Sequence, residues 1–394
     1  MFKGVPFARA LRERGHDVEI LTGFPNYPGG RIYPSYRVRP FQREVIDGIR
    51  VTRVPLFPSH DRSSLLRMAN YLSFAAAATA LGPWVVQRPD VIYVYNLVTL
   101  SWAWRLIRKL RGCAVVLDIQ DLWPESVLAS KMMRSGVLTR LLSAWCRRAY
   151  RSADRLTVLS PGFKRHLTAL GIPAERIDVI YNWCEESKET LTTEEAQNLR
   201  RRYGFENRFN LLFAGTMGRA QALGSVIEAA RVVRTRAPRV LFTFVGGGVE
   251  VDSLKQEASG LDNVQFLPRC TPGEAAAIAS VADTLLVHLK RDPLFEITIP
   301  SKTQTYLFAG KPIIMAVGGD AADLVREAEA GVCCSAENLN DLADAIIEMA
   351  AQPESVRVAM GQRGREYYLR RLSFEAGVSA FERVFAIATG RSPV

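Results

Sequence analysis

Short runs of β-branched and aliphatic residues alternate with stretches of helical periodicity along almost the whole chain, and that rhythm leaves few folds open. The runs are Val18–Thr22, Ile49–Pro55, Val91–Tyr95, Ala114–Asp118, Leu156–Leu159 and Ile177–Tyr181, then Leu211–Ala214, Leu241–Val245, Val264–Leu267, Leu285–Leu289, Pro312–Val317 and Gly331–Ser335. Helical segments such as Leu223–Arg234 and Glu274–Ala282 lie between them. Strand, helix and strand at this spacing predict parallel sheets, and the two series predict two doubly wound α/β units. Between the series, Cys184–Arg208 is rich in Glu, Lys, Arg and Thr with little β pattern, which suits a polar connector carrying one exposed helix. The first unit is expected over residues 1–190.

A doubly wound unit normally opens with a strand, yet residues 4–14 read as helix from the outset. The first strand and the loop after it are expected to be missing, either because the reading frame starts at an internal Met or because the unit does without that strand. No apolar stretch reaches the ~18 residues of a spanning helix. Leu72–Val86 comes nearest and contains Gly82 and Pro83. Met1–Arg14 lacks a signal-peptide apolar core, so a cytoplasmic protein is expected.

The net charge of +11 is unevenly spread. Through residue 190 there are 28 Lys and Arg against 16 Asp and Glu, and after it 23 against 24. An excess confined to the first half predicts an anionic partner there: a membrane surface, a phosphorylated substrate or nucleic acid. No helix-turn-helix, zinc finger, RNP-type motif or basic low-complexity tail is present, so nucleic acid is not expected. Cysteines 113, 146, 184, 270, 333 and 334 form no C-x2-C pair, and the four histidines are scattered. They predict reduced, structural thiols and no metal site.

Three loops of the second half carry ligand chemistry. In Thr298–Pro312, Pro300 ends an extended stretch, Ser301 is an N-cap type, residues 302–309 read as a short helix and Gly310 stops it. A helix N-terminus offers free N–H groups and a partial positive charge to a diphosphate, and Lys302 adds a full one. A capped helix with a solvated lysine is the plain alternative. Gly215-Thr216-Met217-Gly218-Arg219 and Gly246-Gly247-Gly248 follow the first two strands of that half. Glycines there let backbone approach a ligand in the crevice of a doubly wound sheet, although such loops also turn tightly for structural reasons. In the first half, Asp118, Asp121 and Glu125 gather at a strand end beside Trp123 and Pro124. They could orient a sugar hydroxyl or accept its proton, or simply favour the start of a helix. Arg67, Arg105, Arg108, Lys109 and Arg111 adjoin Leu, Phe, Trp and Ala in Ser64–Val86 and Trp102–Arg111, which suits a membrane-surface face or buried helices with snorkelling arginines.

These segments resemble the family-4 glycosyltransferases of two-Rossmann-domain (GT-B) architecture, in particular the bacterial surface-polysaccharide branch. The resemblance runs through Arg14-Gly15-His16-Asp17-Val18, Phe24-Pro25-Asn26-Tyr27-Pro28, Asp121-Leu122-Trp123-Pro124-Glu125-Ser126, Leu159-Ser160, Gly215–Arg219, Gly246–Gly248 and Pro300–Pro312. It implies an acceptor-binding domain over residues 1–190, a nucleotide-sugar-binding domain over 191–372, reaction in the cleft between them, and a final helix within 373–394 that returns to the first domain. The implied activity is retaining transfer of a sugar from a nucleotide diphosphate sugar, UDP-linked, to a lipid-diphosphate-linked saccharide of a surface polysaccharide. The implied place is the cytoplasmic face of the membrane, peripherally and against anionic lipid. Lys302, the Ser301 and Thr303 backbone N–H groups and Arg219 are expected to hold the diphosphate, beside Gly215, Thr216 and Gly218. Gly246, Gly247 and Leu267–Arg269 are expected to border the nucleoside, Gln304 and Thr305 to meet the ribose, and Asp121 and Glu125 to face the acceptor. No cofactor or metal is expected, because cationic side chains and a helix N-terminus take the metal's place.

The chain departs from the family in its paired glutamates, which fall here at Ile297 and Thr305, or at Glu296 and Gln304 if shifted by one. The usual diphosphate Arg and Lys align with Thr216 and Gln221. Two other readings stay open: a sugar-nucleotide epimerase of the same fold, against which Trp123-Pro124 and the basic first half speak, and, from the missing strand and glutamates, an inactive, truncated partner in a polysaccharide assembly complex.

Overall fold

Both units are built on parallel sheet, as the alternating runs predict. The computed structural model describes residues 3–59, 64–123, 136–186 and 191–391. The chain divides into two compact units, one holding the chain up to Leu159, Phe163–Ile180 and everything from Val378 on, the other Ser160–Gly162 and Tyr181–Gly377. The crossing thus falls at Tyr181, ahead of the polar connector, and the last helix, Phe374–Thr389, divides its length between the two.

In the C-terminal unit, strands β8 (Phe209–Thr216), β9 (Val240–Gly247), β10 (Val264–Leu267), β11 (Thr284–His288), β12 (Ile313–Ala316) and β13 (Gly331–Cys333) form one sheet in the order β10-β9-β8-β11-β12-β13. Every pairing in it is parallel. Successive strand residues are buried on opposite faces. Leu211, Phe213, Phe242, Phe244, Leu286 and Ile314 pack on one side with Val226, Ile227 and Ile346, and Leu212, Leu285, Val287, Ile313 and Met315 on the other with Ile278, Tyr306 and Leu324. Helices covering both faces explain why these strands read as unbroken apolar runs. Two of the helices begin with reciprocal capping boxes, Thr192 with Glu195 and Thr271 with Glu274, which close the first-turn N–H groups.

The N-terminal unit opens on the helix Val5–Glu13, and its strands fall in two sheets. Strands β1 (Glu19–Gly23), β2 (Gln42–Ile46) and β3 (Ile49–Val54) pair in the order β1-β3-β2, and β4 (Val91–Tyr95), β5 (Ala114–Ile119), β6 (Arg155–Val158) and β7 (Ile177–Val179) in the order β4-β5-β6-β7. Among the described residues no backbone pairing joins β1 to β4. Side chains span the gap instead: Phe7 lies 5.5 Å from the Tyr93 ring on β4, while Arg12 donates to the Gly48 carbonyl at the β2–β3 turn. No residue of β1 is buried, whereas all of β5 except Ala114 is. Strand β1 therefore lies at an edge of its sheet. Strand β2 is an addition to the expected elements: it pairs antiparallel with β3 through Asp47 and Gly48, both at positive φ. That is the Asp-Gly signature of a tight hairpin.

Candidate active site

The C-terminal ends of β8 and β9 meet without side chains between them. A Cβ on Gly246 would lie 2.1 Å from the Gly215 carbonyl oxygen, and one on Gly248 would lie 2.0 Å from that of Met217. Only glycine allows these two loops to touch, which is the close approach their composition predicts. Met217 N–H donates to the Gly247 carbonyl and carries the pairing one step past the strand. Arg269 lies over this junction, its Nε 2.5 Å from where a Gly247 Cβ would be, and Leu267 ends β10 beside it.

Lys302 enters the same place from the helix Ser301–Ala309. Its ammonium sits 3.8 Å from the centre of the Phe213 ring, and a Cβ on Gly215 would fall 2.8 Å from its Cε. Burial pushes the Lys302 pKa down from the usual 10.5 to about 8, and among the described residues no carboxylate offsets that loss. A half-buried ammonium facing a ring and bare backbone has the chemistry to take an anion.

The start of this helix differs from the expected one. Pro300, not Ser301, is the N-cap, and no side chain caps the first turn. Thr303 N–H, expected on the diphosphate, donates instead to the Pro300 carbonyl at 2.9 Å, and the Thr303 side chain is buried. Gln304 is buried as well, with its amide turned to the Pro300 and Ser301 carbonyls. Helical geometry sends both side chains into the core, so neither presents a group to a ligand. Among the described residues, the Ser301 and Lys302 N–H groups have no backbone acceptor outside the helix. Thr305 is exposed and spends its hydroxyl hydrogen on the Ser301 carbonyl at 3.2 Å. Glu296 is exposed on the preceding short helix, Pro293–Glu296, and its Cγ is 3.6 Å from where a Gly318 Cβ would be, just past β12. Of the two glutamate registers, the one containing Glu296 therefore keeps a carboxylate at this end of the sheet.

The loop after β8 bears the other expected cation. Arg219 opens a 3-10 turn, Arg219–Gln221, is exposed, and has no ion pair among the described residues. Thr216 and Gly218 precede it, and Gly218 N–H donates to the Gln221 side chain. His288, at the end of β11, holds this turn. Its Nδ1 is 2.7 Å from the Gln221 carbonyl, so Nδ1 carries the hydrogen, and its Nε2 lies 3.3 Å from Ser225 Oγ, whose own hydrogen goes to the Ala222 carbonyl at 2.8 Å. Burial lowers the His288 pKa and so favours the neutral ring. The next bond out, Lys290 N–H to the Ala220 carbonyl, ties the same turn to the same strand. Sequence reading missed His288 because an isolated histidine at a strand end carries no pattern.

In the N-terminal unit, Asp118 is buried and accepts from Lys3 Nζ (2.9 Å), Tyr93 OH (2.6 Å), Gln120 Nε2 (2.8 Å) and Thr157 Oγ1 (2.9 Å). Its oxygens are filled by the fold, which removes it from the expected acidic trio. Asp121 is exposed just past β5 and is steadied by Asn96, whose amide nitrogen donates to it at 2.8 Å and whose oxygen accepts its N–H at 3.1 Å. Glu125 lies outside the described residues. Among the described residues no group of His, Cys, Asp and Glu is arranged to hold a metal ion.

Comparison with known proteins defines the class. The family described as Glycosyl transferase 4-like domain matches residues 6–183, and that described as Glycosyl transferases group 1 matches residues 208–352. The chain belongs to these glycosyltransferases and has their GT-B architecture. It is 28% identical over 379 residues to a protein of Escherichia coli K12 bearing the provisional name colanic acid biosynthesis glycosyl transferase WcaI, across 93% of this chain and 90% of that one. It is 20% identical over 395 residues to N-acetyl-alpha-D-glucosaminyl L-malate synthase of Bacillus anthracis, across 97% and 92%. Among solved structures, Anabaena Alr3699/HepE in complex with UDP superposes with a TM-score of 0.67 at 17% identity, covering 86% of this chain and 87% of that one. The same protein has also been solved with UDP-glucose. That structural likeness is one of fold.

Proposed function

We propose that this glycosyltransferase moves a hexose-type sugar, with retention of configuration, from a UDP-sugar to a lipid-diphosphate-linked saccharide during surface-polysaccharide synthesis. It does so on the cytoplasmic face of the membrane. The observation that carries the donor half of the reading is Lys302, a half-buried ammonium set against Phe213 and Gly215 with no carboxylate paired to it among the described residues. A donor diphosphate supplies the missing charge. Arg219 and the Ser301 and Lys302 N–H groups add donors at the same strand ends, Gly246, Gly247, Leu267 and Arg269 border the nucleoside, and Glu296 meets the ribose. The leaving group is a nucleotide, so positioning and neutralisation of the diphosphate supply most of the catalysis. In the N-terminal unit Asp121, with Glu125, handles the acceptor. Support for a polysaccharide product comes from the name of the E. coli relative, and for a uridine nucleotide from the HepE complexes.

The test is a screen of radiolabelled nucleotide sugars against membrane extract. Label from a UDP-sugar should enter a lipid-extractable product, in excess chelator as well as without it. Loss in chelator that is restored by a divalent ion defeats the metal-independent part of the reading. Interconversion of UDP-N-acetylglucosamine without any acceptor points to the epimerase instead.

A further inference from the structure

Two helices of the N-terminal unit, Ser101–Arg111 and Val137–Ser152, run side by side in the same direction. Their register is set by three bonds: Arg105 donates to the Arg148 carbonyl (2.8 Å), Arg108 to the Ser152 carbonyl (3.1 Å), and Trp104 Nε1 to Ser152 Oγ (3.1 Å). Trp102, Arg105 and Lys109 share one helical face at i, i+3 and i+7, and Leu141, Trp145 and Arg148 share one at i, i+4 and i+7. The register brings the aromatic and aliphatic residues to one end of the pair and the cations to the other. Trp102 is 63% exposed and Leu141 62%. At the cationic end Arg105, Arg108, Lys109, Arg148 and Arg151 line an open concavity of ≈ 700 Å³ with Ser152. Asp154 pairs with Arg108, and among the described residues no other ion pair involves these cations. Burial, and to a lesser extent the neighbouring Arg148, lowers the Arg105 pKa.

We propose that this face is a headgroup site for anionic phospholipid: Lys109, Arg148 and Arg151 take the phosphates while Trp102 and Leu141 enter the interfacial layer. It deepens the peripheral-membrane part of the proposed function and rests on it. Cations concentrated in a concavity without matching carboxylates call for phosphate, and a flanking exposed Trp and Leu favour a bilayer over nucleic acid. The side chains of Lys109, Arg148 and Arg151 form no described hydrogen bond, so they are available to a ligand and can be changed without unpairing the helices.

The test is sedimentation of the full chain with phosphatidylcholine vesicles with and without phosphatidylglycerol. Three proteins are compared: wild type, Lys109→Glu/Arg148→Glu, and Arg37→Glu/Arg39→Glu, an exposed pair of the same unit with the same charge change. Each Lys or Arg near an anionic surface contributes about fivefold in partition, so the Lys109/Arg148 reversal should lower binding to the anionic vesicles at least ~25-fold and flatten its salt dependence. The Arg37/Arg39 pair should lose far less. Trp102→Ala should weaken binding while leaving the salt dependence as it is. Equal losses for the two pairs, or none for Lys109/Arg148 in a protein that does bind, overturn the site and leave the membrane reading standing. Failure of the wild type to bind anionic vesicles overturns both. Loss of RNA binding with vesicle binding intact assigns the face to nucleic acid and refutes the proposal.

Discussion

Replacing Lys302 by Met removes one charge and keeps all but the terminal atom of the side chain's length against Phe213. A hydrogen bond to a charged group is worth about 1.5–3 kcal/mol, so UDP affinity should fall about 10- to 150-fold with the fold intact. The pH dependence is the sharper part. With its pKa near 8 rather than 10.5, free Lys302 is already losing its proton at mildly alkaline pH. A bound diphosphate stabilises the charged form and raises that pKa, so binding takes up a proton. Affinity should be level on the acid side of about pH 8 and decline above it, toward tenfold per pH unit until the pKa of the complex is reached. At pH 8 calorimetry in buffers of different ionisation enthalpy should show about half a proton taken up per UDP, and none in Lys302→Met. The sign for folding is opposite. Between about 8 and 10.5 the unfolded chain holds the proton more firmly, so the free protein gains stability as pH rises through that window. A wild type with a flat profile and no proton uptake refutes the placement of this ammonium on the diphosphate.

His288→Leu should raise the donor KM several-fold through a loosened Arg219–Gln221 turn and leave the acceptor KM alone. His288→Asn, whose amide can replace the Nδ1 donor, should recover most of the loss in steady-state kinetics. Tyr306→Phe strands the Ala214 N–H that now donates to the tyrosine oxygen at 2.9 Å, and should cost about 1–3 kcal/mol in denaturant unfolding. Glu296→Gln should weaken discrimination against 2′-deoxy donors, while Thr305→Glu adds a like charge and should lower donor affinity; the reverse pattern in competition binding would return the ribose contact to the helix.

Apolar runs made the six-stranded C-terminal sheet readable, because a parallel strand buried on both faces must be apolar throughout. The helical opening at Val5–Glu13 was equally plain, since apolar and charged residues there repeat at helical spacing. Strand β2 was overlooked despite its Asp-Gly turn, for Gln42–Ile46 alternates exposed and half-buried residues and lacks an apolar run. At the candidate site Lys302 and the glycine loops announced themselves through helix-start and strand-end chemistry. What spacing could not reveal was which side of a short helix faces inward: Thr303 and Gln304 are buried, and a shift of the N-cap by one residue, from Ser301 to Pro300, changes which N–H groups stay open. Asp118 and His288 depended on partners distant in sequence, Lys3 and Thr157 for one and Gln221 for the other.

The break between β1 and β4 gives the N-terminal unit a seam. A continuous sheet shares its backbone hydrogen bonds across every strand and so tends to open as a whole, but here, among the described residues, the two networks are joined by side-chain and helix packing, Phe7 and Arg12 included, and not by strand pairing. Amides of β5, paired on both sides within the second sheet, should report the global unfolding free energy in hydrogen exchange, whereas those of β1 and β4 report a cheaper, local parting. The same N–H and C=O rows, without a strand partner among the described residues, are templates for any extended segment that meets them. Association at high concentration should therefore respond to changes along Glu19–Gly23 and Val91–Tyr95, the second of which ends one residue before Asn96, the partner of Asp121.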